Sequence, residues 1–258
     1  MKIVVLVKYV PEPTATWKFA ADLTLDRAGV EGRLSELDEY AVEQAVQLAE
    51  KAGAEVVYLT VGPAKAGEGL RKALAIGGSS AVHVLDDAVH GSDALGTSLV
   101  LAKALETIGF DLVLAGMAST DAEMSVVPSM VADRLGANQA TFAGELTVDG
   151  DAVSIRRDTD TASERVAVTL PAVVTVTDQI GEARYPAFKA IMAAKKKPVQ
   201  TLGLTDIGLD AGQVGMAAAA VKTVSITPTP ARAAGTIVTD DGEGANALAD
   251  FLAGRGFI

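Results

Sequence analysis

Residues 111–136 read DLVLAGMASTDAEMSVVPSMVADRLG. The run Leu112-Val113-Leu114-Ala115 is short and apolar, the pattern of a strand buried in a parallel sheet. Gly116 interrupts it. Ser119, Thr120 and Asp121 follow, three residue types whose side-chain oxygen caps a helix N-terminus. Met124, Val127, Met130, Val131 and Leu135 then recur at helical spacing, and Gly136 supplies the stop. The expected order is strand, glycine loop and helix, with the helix starting at Ser119–Asp121. Such a start presents free N–H groups and a positive dipole end, so it suits an anion such as phosphate. An ordinary βα connection without a ligand fits the same local pattern.

Upstream the alternation repeats. Lys2–Val10 is apolar and β-branched, a first strand ended by Pro11 and Pro13. Residues 14–34 carry turn signals and read as an excursion or short hairpin. Ser35 is placed to cap a helix over Glu36–Ala52, which Gly53 ends. Glu55–Val61 is a second strand, followed by Gly62-Pro63 and a helix to Ile76. Ala81–Leu85 is a third strand, and Ser92 or Asp93 starts a helix running to about Ile108. Phe110–Ala115 is the fourth strand. Strands alternating with helices imply a parallel sheet covered on both faces: an α/β, doubly wound, Rossmann-like fold.

Beyond residue 140 the rhythm changes. Asp149-Gly150 between alternating runs signals a hairpin over Glu145–Ile155, and Arg165–Leu170 and Ala172–Thr177 read as further strands. These predict an antiparallel extension of the sheet. Arg184–Pro198, RYPAFKAIMAAKKKP, is helical between Pro186 and Pro198. Residues 199–234 lack periodicity and read as an extended arm, and a short helix over about Ala245–Ala253 closes the chain. The expected organisation is one α/β domain over 1–198 and a C-terminal arm with its final helix over 199–258.

The chain has 258 residues, 49% of them hydrophobic, which suffices for one large domain with an appendage. It contains no Cys and two His, so thiolate metal sites, disulfides and Cys nucleophiles are excluded. The net charge of −11 argues against nucleic acid as a partner. No window approaches the ~20 apolar residues of a spanning helix, and the N-terminal apolar run is too short for a signal peptide. A cytoplasmic protein that is not itself a membrane protein is expected.

Gly242-Glu243-Gly244-Ala245-Asn246-Ala247 matches a dinucleotide fingerprint, but it lies too near the C-terminus for a following βαβ unit and reads as a helix start. No Walker A sequence, nucleophile elbow or zinc-binding helix motif is present. His83 and His90 have too few companions for a metal or catalytic site. Lys195-Lys196-Lys197 either complements a helix dipole or forms a docking patch for an acidic partner. Phe188, Ile191 and Met192 have the spacing of a core-facing stripe, or of an exposed anchor beside those lysines.

Six motifs in order resemble the beta (small) subunit of electron transfer flavoproteins: KIVVLVKYVP, DEYAVEQAVQLAE, LTVGP with LRKALAIGG, DLVLAGMASTD, TLPAVVTVTDQIGEARYP and FKAIMAAKKKP. The resemblance covers essentially the whole chain. It implies an adenine-nucleotide-binding sheet, a larger alpha subunit that holds most of a redox-active FAD, and a structural AMP in this subunit. By position, AMP contacts fall on Leu6; on Ser35, Glu36, Leu37 and Asp38; on Val61; and on Gly116, Met117, Ala118, Ser119, Thr120, Asp121, Ala122, Glu123, Met124, Ser125, Val126 and Val127. The segment with Tyr185, Phe188, Ile191, Met192, Lys195, Lys196 and Lys197 corresponds to a loop that docks partner dehydrogenases. Phe188 stands where other members have Leu, and Lys189-Ala190 where some have Pro-Asn. Pro13 replaces a Tyr that packs on the flavin in some members, so no flavin contact is assigned there. The resemblance implies an electron carrier without catalytic residues of its own, passing electrons from acyl-CoA and related dehydrogenases toward a membrane quinone oxidoreductase. A free-standing stress-type adenine-nucleotide module, a substrate-activating ATP enzyme, and a bifurcating subunit with a second FAD in the AMP place remain alternatives.

Overall fold

A computed structural model describes residues 1–258 as two compact units, Met1–Val224 and Ser225–Ile258. The first unit opens with β1 (Lys2–Leu6), then pairs β2 (Tyr9–Pro11) antiparallel with β3 (Gly32–Leu34), which closes the excursion of residues 12–31. It continues through α1 (Glu36–Ala52), β4 (Glu55–Val61), α2 (Gly67–Ile76), β5 (Ser80–Val84), α3 (Ala94–Ile108), β6 (Leu112–Gly116) and α4 (Val127–Leu135). Then come β7 (Asn138–Ala143), β8 (Glu145–Asp149), β9 (Ala152–Asp158), β10 (Ser163–Thr169), β11 (Ala172–Val176), α5 (Phe188–Ala194), β12 (Val199–Leu202) and the short α6 (Gly215–Ala218).

Seven strands form one sheet in the order β12-β5-β4-β1-β6-β11-β7, and every pairing is parallel. Strand side chains alternate between faces, and the two cores show it. Ile3 and Val5 of β1 and Leu112 and Leu114 of β6 pack with Ala41, Val42 and Ala45 of α1 and Leu70 of α2. Val4, Leu6, Val113 and Ala115 pack on the other face with Val100, Leu101 and Leu105 of α3 and Val131 of α4. Both faces being covered is why these strands read as unbroken apolar runs. From β1 the chain moves one way, to β4 and β5, and later returns to the other side of β1 as β6. The carboxyl ends of β1 and β6 thus flank the topological switch point, where open α/β sheets bind ligands.

Four sequence expectations need correction. The helix after β6 begins at Val127, not at Ser119–Asp121. Pro128 sits in its first turn, where its missing N–H costs nothing; a helix begun at Thr120 would have carried Pro128 in its interior. The predicted antiparallel extension is a separate three-stranded sheet, β10-β9-β8, whose Val153 and Ile155 share the core of Ala140 and Ala143. The run Ala172–Val176 is a central parallel strand with all five residues buried, and β7 was not anticipated. Residues 199–214 do not belong to an arm: β12 pairs with β5, and Leu202, Leu204, Ile207, Leu209 and Val214 are buried.

The second unit, Ser225–Ile258, contains α7 (Gly244–Gly254) and no buried residue. Ile237, Val238, Leu248, Phe251, Phe257 and Ile258 are all exposed in it. A segment with that much uncovered apolar surface has no core of its own.

Candidate functional site

The carboxyl ends of three adjacent strands, β4, β1 and β6, border the crevice that an open α/β sheet forms at its switch point, and the start of α1 packs against the end of β6. Gly116 ends β6 against that helix start: a Cβ there would lie 2.7 Å from Asp38 Oδ1 and 2.7 Å from the Leu37 carbonyl oxygen. Only glycine allows this approach. Asp38 is buried, and its Oδ2 accepts a 2.8 Å hydrogen bond from the Lys8 amide. Burial pushes its carboxyl up to about 7, against the opposing pull of the Lys8 amide and ammonium.

Across the crevice Asp121 sits in the loop of residues 117–126, with its side chain 1% exposed. It does not cap a helix. Its Oδ1 accepts from Lys8 Nζ at 2.9 Å, and Arg27, reaching in from the excursion, pairs with its Oδ2. Burial alone would raise this carboxyl, but the two cations outweigh it and hold it down at about 2. Lys8 Nζ also donates to Ser119 Oγ at 3.3 Å, and Arg27 Nη1 reaches the Tyr9 carbonyl at 3.4 Å. Lys8 therefore joins the end of β1 to both carboxylates, through its backbone at Asp38 and its ammonium at Asp121.

The loop itself turns on backbone bonds. Met117 N donates to the Val176 carbonyl at 2.9 Å, and Glu123 N to the Ser119 carbonyl at 2.9 Å. The four amides between them that precede Ala122, those of Ala118, Ser119, Thr120 and Asp121, make no backbone hydrogen bond. Glu123 and Ser125 adopt left-handed conformations with φ of 49° and 55°, strain that a plain connection would not need. The free N–H groups expected of a helix start at Thr120 lie instead in this loop, and successive unpaired amides are the kind of feature that anion-binding loops use.

Three buried hydroxyls at the same strand ends have no partner in the protein: Ser35 Oγ, Thr60 Oγ1 and Thr120 Oγ1. Ser35 precedes α1 but caps nothing with its side chain, and Thr60 neighbours Val61 at the end of β4. A buried hydroxyl left unpaired costs about 1–3 kcal/mol, so these three, like Tyr58 Oη on β4, are groups that a water or a polar ligand would satisfy. Leu6 lies buried beside them, Val61 and Leu37 are half-buried, and Glu36 is exposed. Met117 through Asp121 and Ser125 through Val127 are half-buried, whereas Ala122, Glu123 and Met124 face solvent. A neighbouring concavity lined by Met117, Phe142, Arg157 and Thr177 has no unpartnered buried hydroxyl.

The second candidate region lies elsewhere on the first unit. Tyr185 is 98% exposed and Phe188 77%, with Ile191 and Met192 also exposed, so this stripe is not core. Ala194 alone of α5 is buried. Lys195 and Lys196 face solvent. Lys197 turns inward: its Nζ donates to the carbonyls of Leu74 at 2.8 Å and Gly77 at 3.2 Å, at the C-terminus of α2. The dipole reading thus describes Lys197, on a different helix from the one expected. His83 is buried and hydrogen-bonds the Gly62 carbonyl at 2.9 Å, while His90 pairs with Asp22 on the excursion.

Sequence reasoning missed Lys8, Arg27 and Thr60. Lys8 was visible as the cation that interrupts the apolar run Lys2–Val10, but Arg27 lies in a stretch without periodicity whose fold only the tertiary structure reveals.

A family model for the electron transfer flavoprotein domain matches residues 22–207. The electron transfer flavoprotein subunit beta of Mycobacterium tuberculosis is 43% identical over 263 residues, covering 99% of each chain. The protein of the same description from Thermoanaerobacterium thermosaccharolyticum is 31% identical over 240 residues, covering 93% of this chain and 92% of its own. That of Sus scrofa is 36% identical over 213 residues and 81% of each. With this crevice, this sheet and this continuous similarity, the chain belongs to the electron transfer flavoprotein family, among its beta subunits.

Proposed function

We propose that this chain is the AMP-holding and dehydrogenase-docking half of a heterodimeric electron carrier. The observation that carries the nucleotide reading is the conjunction at the switch point: four unpaired amides from Ala118 to Asp121 beside the unpartnered hydroxyls of Ser35, Thr60 and Thr120. Those groups suit a ligand with an anionic end and several polar atoms, and AMP is one. The loop amides would hold the phosphate, and Gly116 keeps the strand end clear of side chain. Lys8 and Arg27 offset Asp121, so the crevice does not repel an anion. No step of a reaction is assigned to these residues; the nucleotide is structural.

The redox chemistry belongs to FAD, held mostly on the larger alpha subunit, which accepts and releases electrons. This chain's contribution is to position that partner and to dock donors. The exposed apolar face of Ser225–Ile258 supports a role in wrapping the alpha subunit, since it has no core of its own. Tyr185, Phe188 and Met192, rimmed by the exposed Lys195 and Lys196, suit an apolar pocket with an acidic edge on acyl-CoA and related dehydrogenases. Electrons then pass to a membrane quinone oxidoreductase. No helix is long and apolar enough to cross a membrane, and the site of action we propose is the cytoplasm.

Co-expression with the larger subunit tests the reading. A yellow heterodimer that takes electrons from a substrate-reduced acyl-CoA dehydrogenase is expected. A colourless monomer, or turnover of ATP, would contradict it.

A further inference from the structure

We infer that Arg184 is a positioning residue that holds the apolar docking segment in a fixed pose on the surface of the protein; the inference rests on the docking role proposed for Phe188. The segment cannot hold itself. Its helix α5 spans seven residues and buries one of them, and a helix so short is unstable alone. Residues 181–187 before it have no regular structure. Something outside must fix Phe188 in place.

Two anchors do so, one at each end. At the N-terminal end the Arg184 guanidinium grips two carboxylates on one face of α1. Nε donates to Glu43 Oε2 at 2.8 Å and Nη2 to Glu43 Oε1 at 2.9 Å. Nη1 donates to Glu50 Oε1 at 2.6 Å and Nη2 to Glu50 Oε2 at 3.0 Å. The Arg184 amide adds a bond to Glu43 Oε2 at 3.2 Å, and Gln47, between the two acids on the same face, donates to Glu43 Oε1 at 2.9 Å. The Glu43 side chain is only 4% exposed, so its charge keeps a strong demand for this partner. At the other end Lys197 is held on the last carbonyls of α2, and Arg71 of α2 donates to the carbonyls of Ala194 at 2.9 Å and Lys197 at 2.8 Å.

The span between the anchors carries Tyr185, Phe188 and Met192 outward. A segment fixed before the encounter loses less conformational freedom on docking, which raises affinity without adding a contact. Were Arg184 only a neutralising partner for Glu43, its removal would disturb α1 and leave docking alone.

The test uses the heterodimer with its FAD content measured, and a substrate-reduced acyl-CoA dehydrogenase as donor. Arg184→Ala is expected to raise KM for the heterodimer about tenfold, with kcat within about twofold, the scale of one or two re-ordered residues. Amide exchange should quicken over residues 182–192 as well as around Glu43 on α1, which loses its partner; quickening confined to α1 would make Arg184 only a neutralising partner. In the Phe188→Ala background Arg184→Ala should add little, because both act on one contact. Glu50→Gln, a surface change that leaves Glu43 paired, should raise KM by about threefold and serves if Arg184→Ala does not fold. If Phe188→Ala raises KM but Arg184→Ala and Glu50→Gln do not, or if the effects of Arg184→Ala and Phe188→Ala simply multiply, the positioning role is wrong while docking stands. If Phe188→Ala itself changes nothing, the docking reading fails and this inference with it.

Discussion

Asp38→Asn should flatten the pH dependence of stability between pH 5 and pH 8. The Asp38 carboxyl is buried between the Lys8 amide and the end of β6, and burial raises it from 3.8 to about 7. A raised acid binds its proton more tightly in the folded chain than in the unfolded one, so its ionisation opposes folding. The cost is absent below pH 3.8, grows as pH rises, and is complete above the folded value. Three units at 1.36 kcal/mol each make the full cost about 4 kcal/mol, of which about 2–3 kcal/mol develops between pH 5 and pH 8. For a chain of this size that is a fall in Tm of roughly 5–10 °C. Asparagine has the same shape and cannot ionise; its Oδ1 still accepts from the Lys8 amide. Scanning calorimetry of both chains at pH 5 and pH 8, in one buffer series, isolates the Asp38 contribution because every other group is shared. The wild-type chain should lose several degrees more than Asp38→Asn over that interval. Equal slopes would show that Asp38 is solvated, and the tight packing of α1 on Gly116 would fall with it.

Asp121 behaves in the opposite sense. Its carboxyl is held down at about 2 by Lys8 and Arg27, so it contributes about 2 kcal/mol above pH 4 that fades as pH falls toward 2. Asp121→Asn should lower denaturation midpoints at pH 7, and the gap should close on acidification; a gap that persists would assign the loss to packing instead. Thr120→Val removes an unpartnered buried hydroxyl, so it should leave the nucleotide-free chain as stable or more stable while reducing nucleotide retention, read by equilibrium dialysis against AMP. Retention at wild-type strength would remove Thr120 from the site. Leu114→Ala, in the centre of β6 with no solvent exposure, should cost about 2–5 kcal/mol in urea denaturation. A cost under about 1 kcal/mol would mean the core collapses around the change.

The parallel sheet was legible wherever a strand is covered on both faces. Lys2–Leu6, Glu55–Val61 and Leu112–Ala115 announce themselves as apolar runs between helical patterns, and α1 spans the expected Glu36–Ala52 with Gly53 at its end, although the Ser35 side chain does not cap it. The same logic, applied to Ala172–Val176, would have put β11 in that sheet; the hairpin just before it diverted the reading toward an antiparallel extension. β7 was hidden because Asn138–Ala143 buries only Ala140 and Ala143, a weak signal at a sheet edge. Residues 199–214 looked like an arm because the four-residue β12 buries only Leu202, and Leu204, Ile207, Leu209 and Val214 lie in short turns with no period to count.

Of the candidate site, the strand ends that border it were legible in the sequence and the contacts among its side chains were not. Strand ends at a switch point follow from the order of elements, and Gly116 marks a close approach in any such fold. The capping residues Ser119, Thr120 and Asp121 were misassigned because propensity weighs local hydrogen bonds only. A long-range pull from Lys8 and Arg27 outbids a cap, and Pro128, read as a first-turn residue, was the available sign that the helix starts later. Arg184 could not be paired with Glu43 and Glu50 from sequence, since 141 positions separate the first pair.

Which nucleotides the protein carries decides most directly whether it is the AMP-holding half of a flavin-bearing heterodimer. Acid extraction and mass spectrometry of the heterodimer purified with its larger subunit should yield one AMP and one FAD. Two flavins and no AMP would place a redox cofactor where the account places a structural one, and no nucleotide at all would empty the crevice of its assigned purpose.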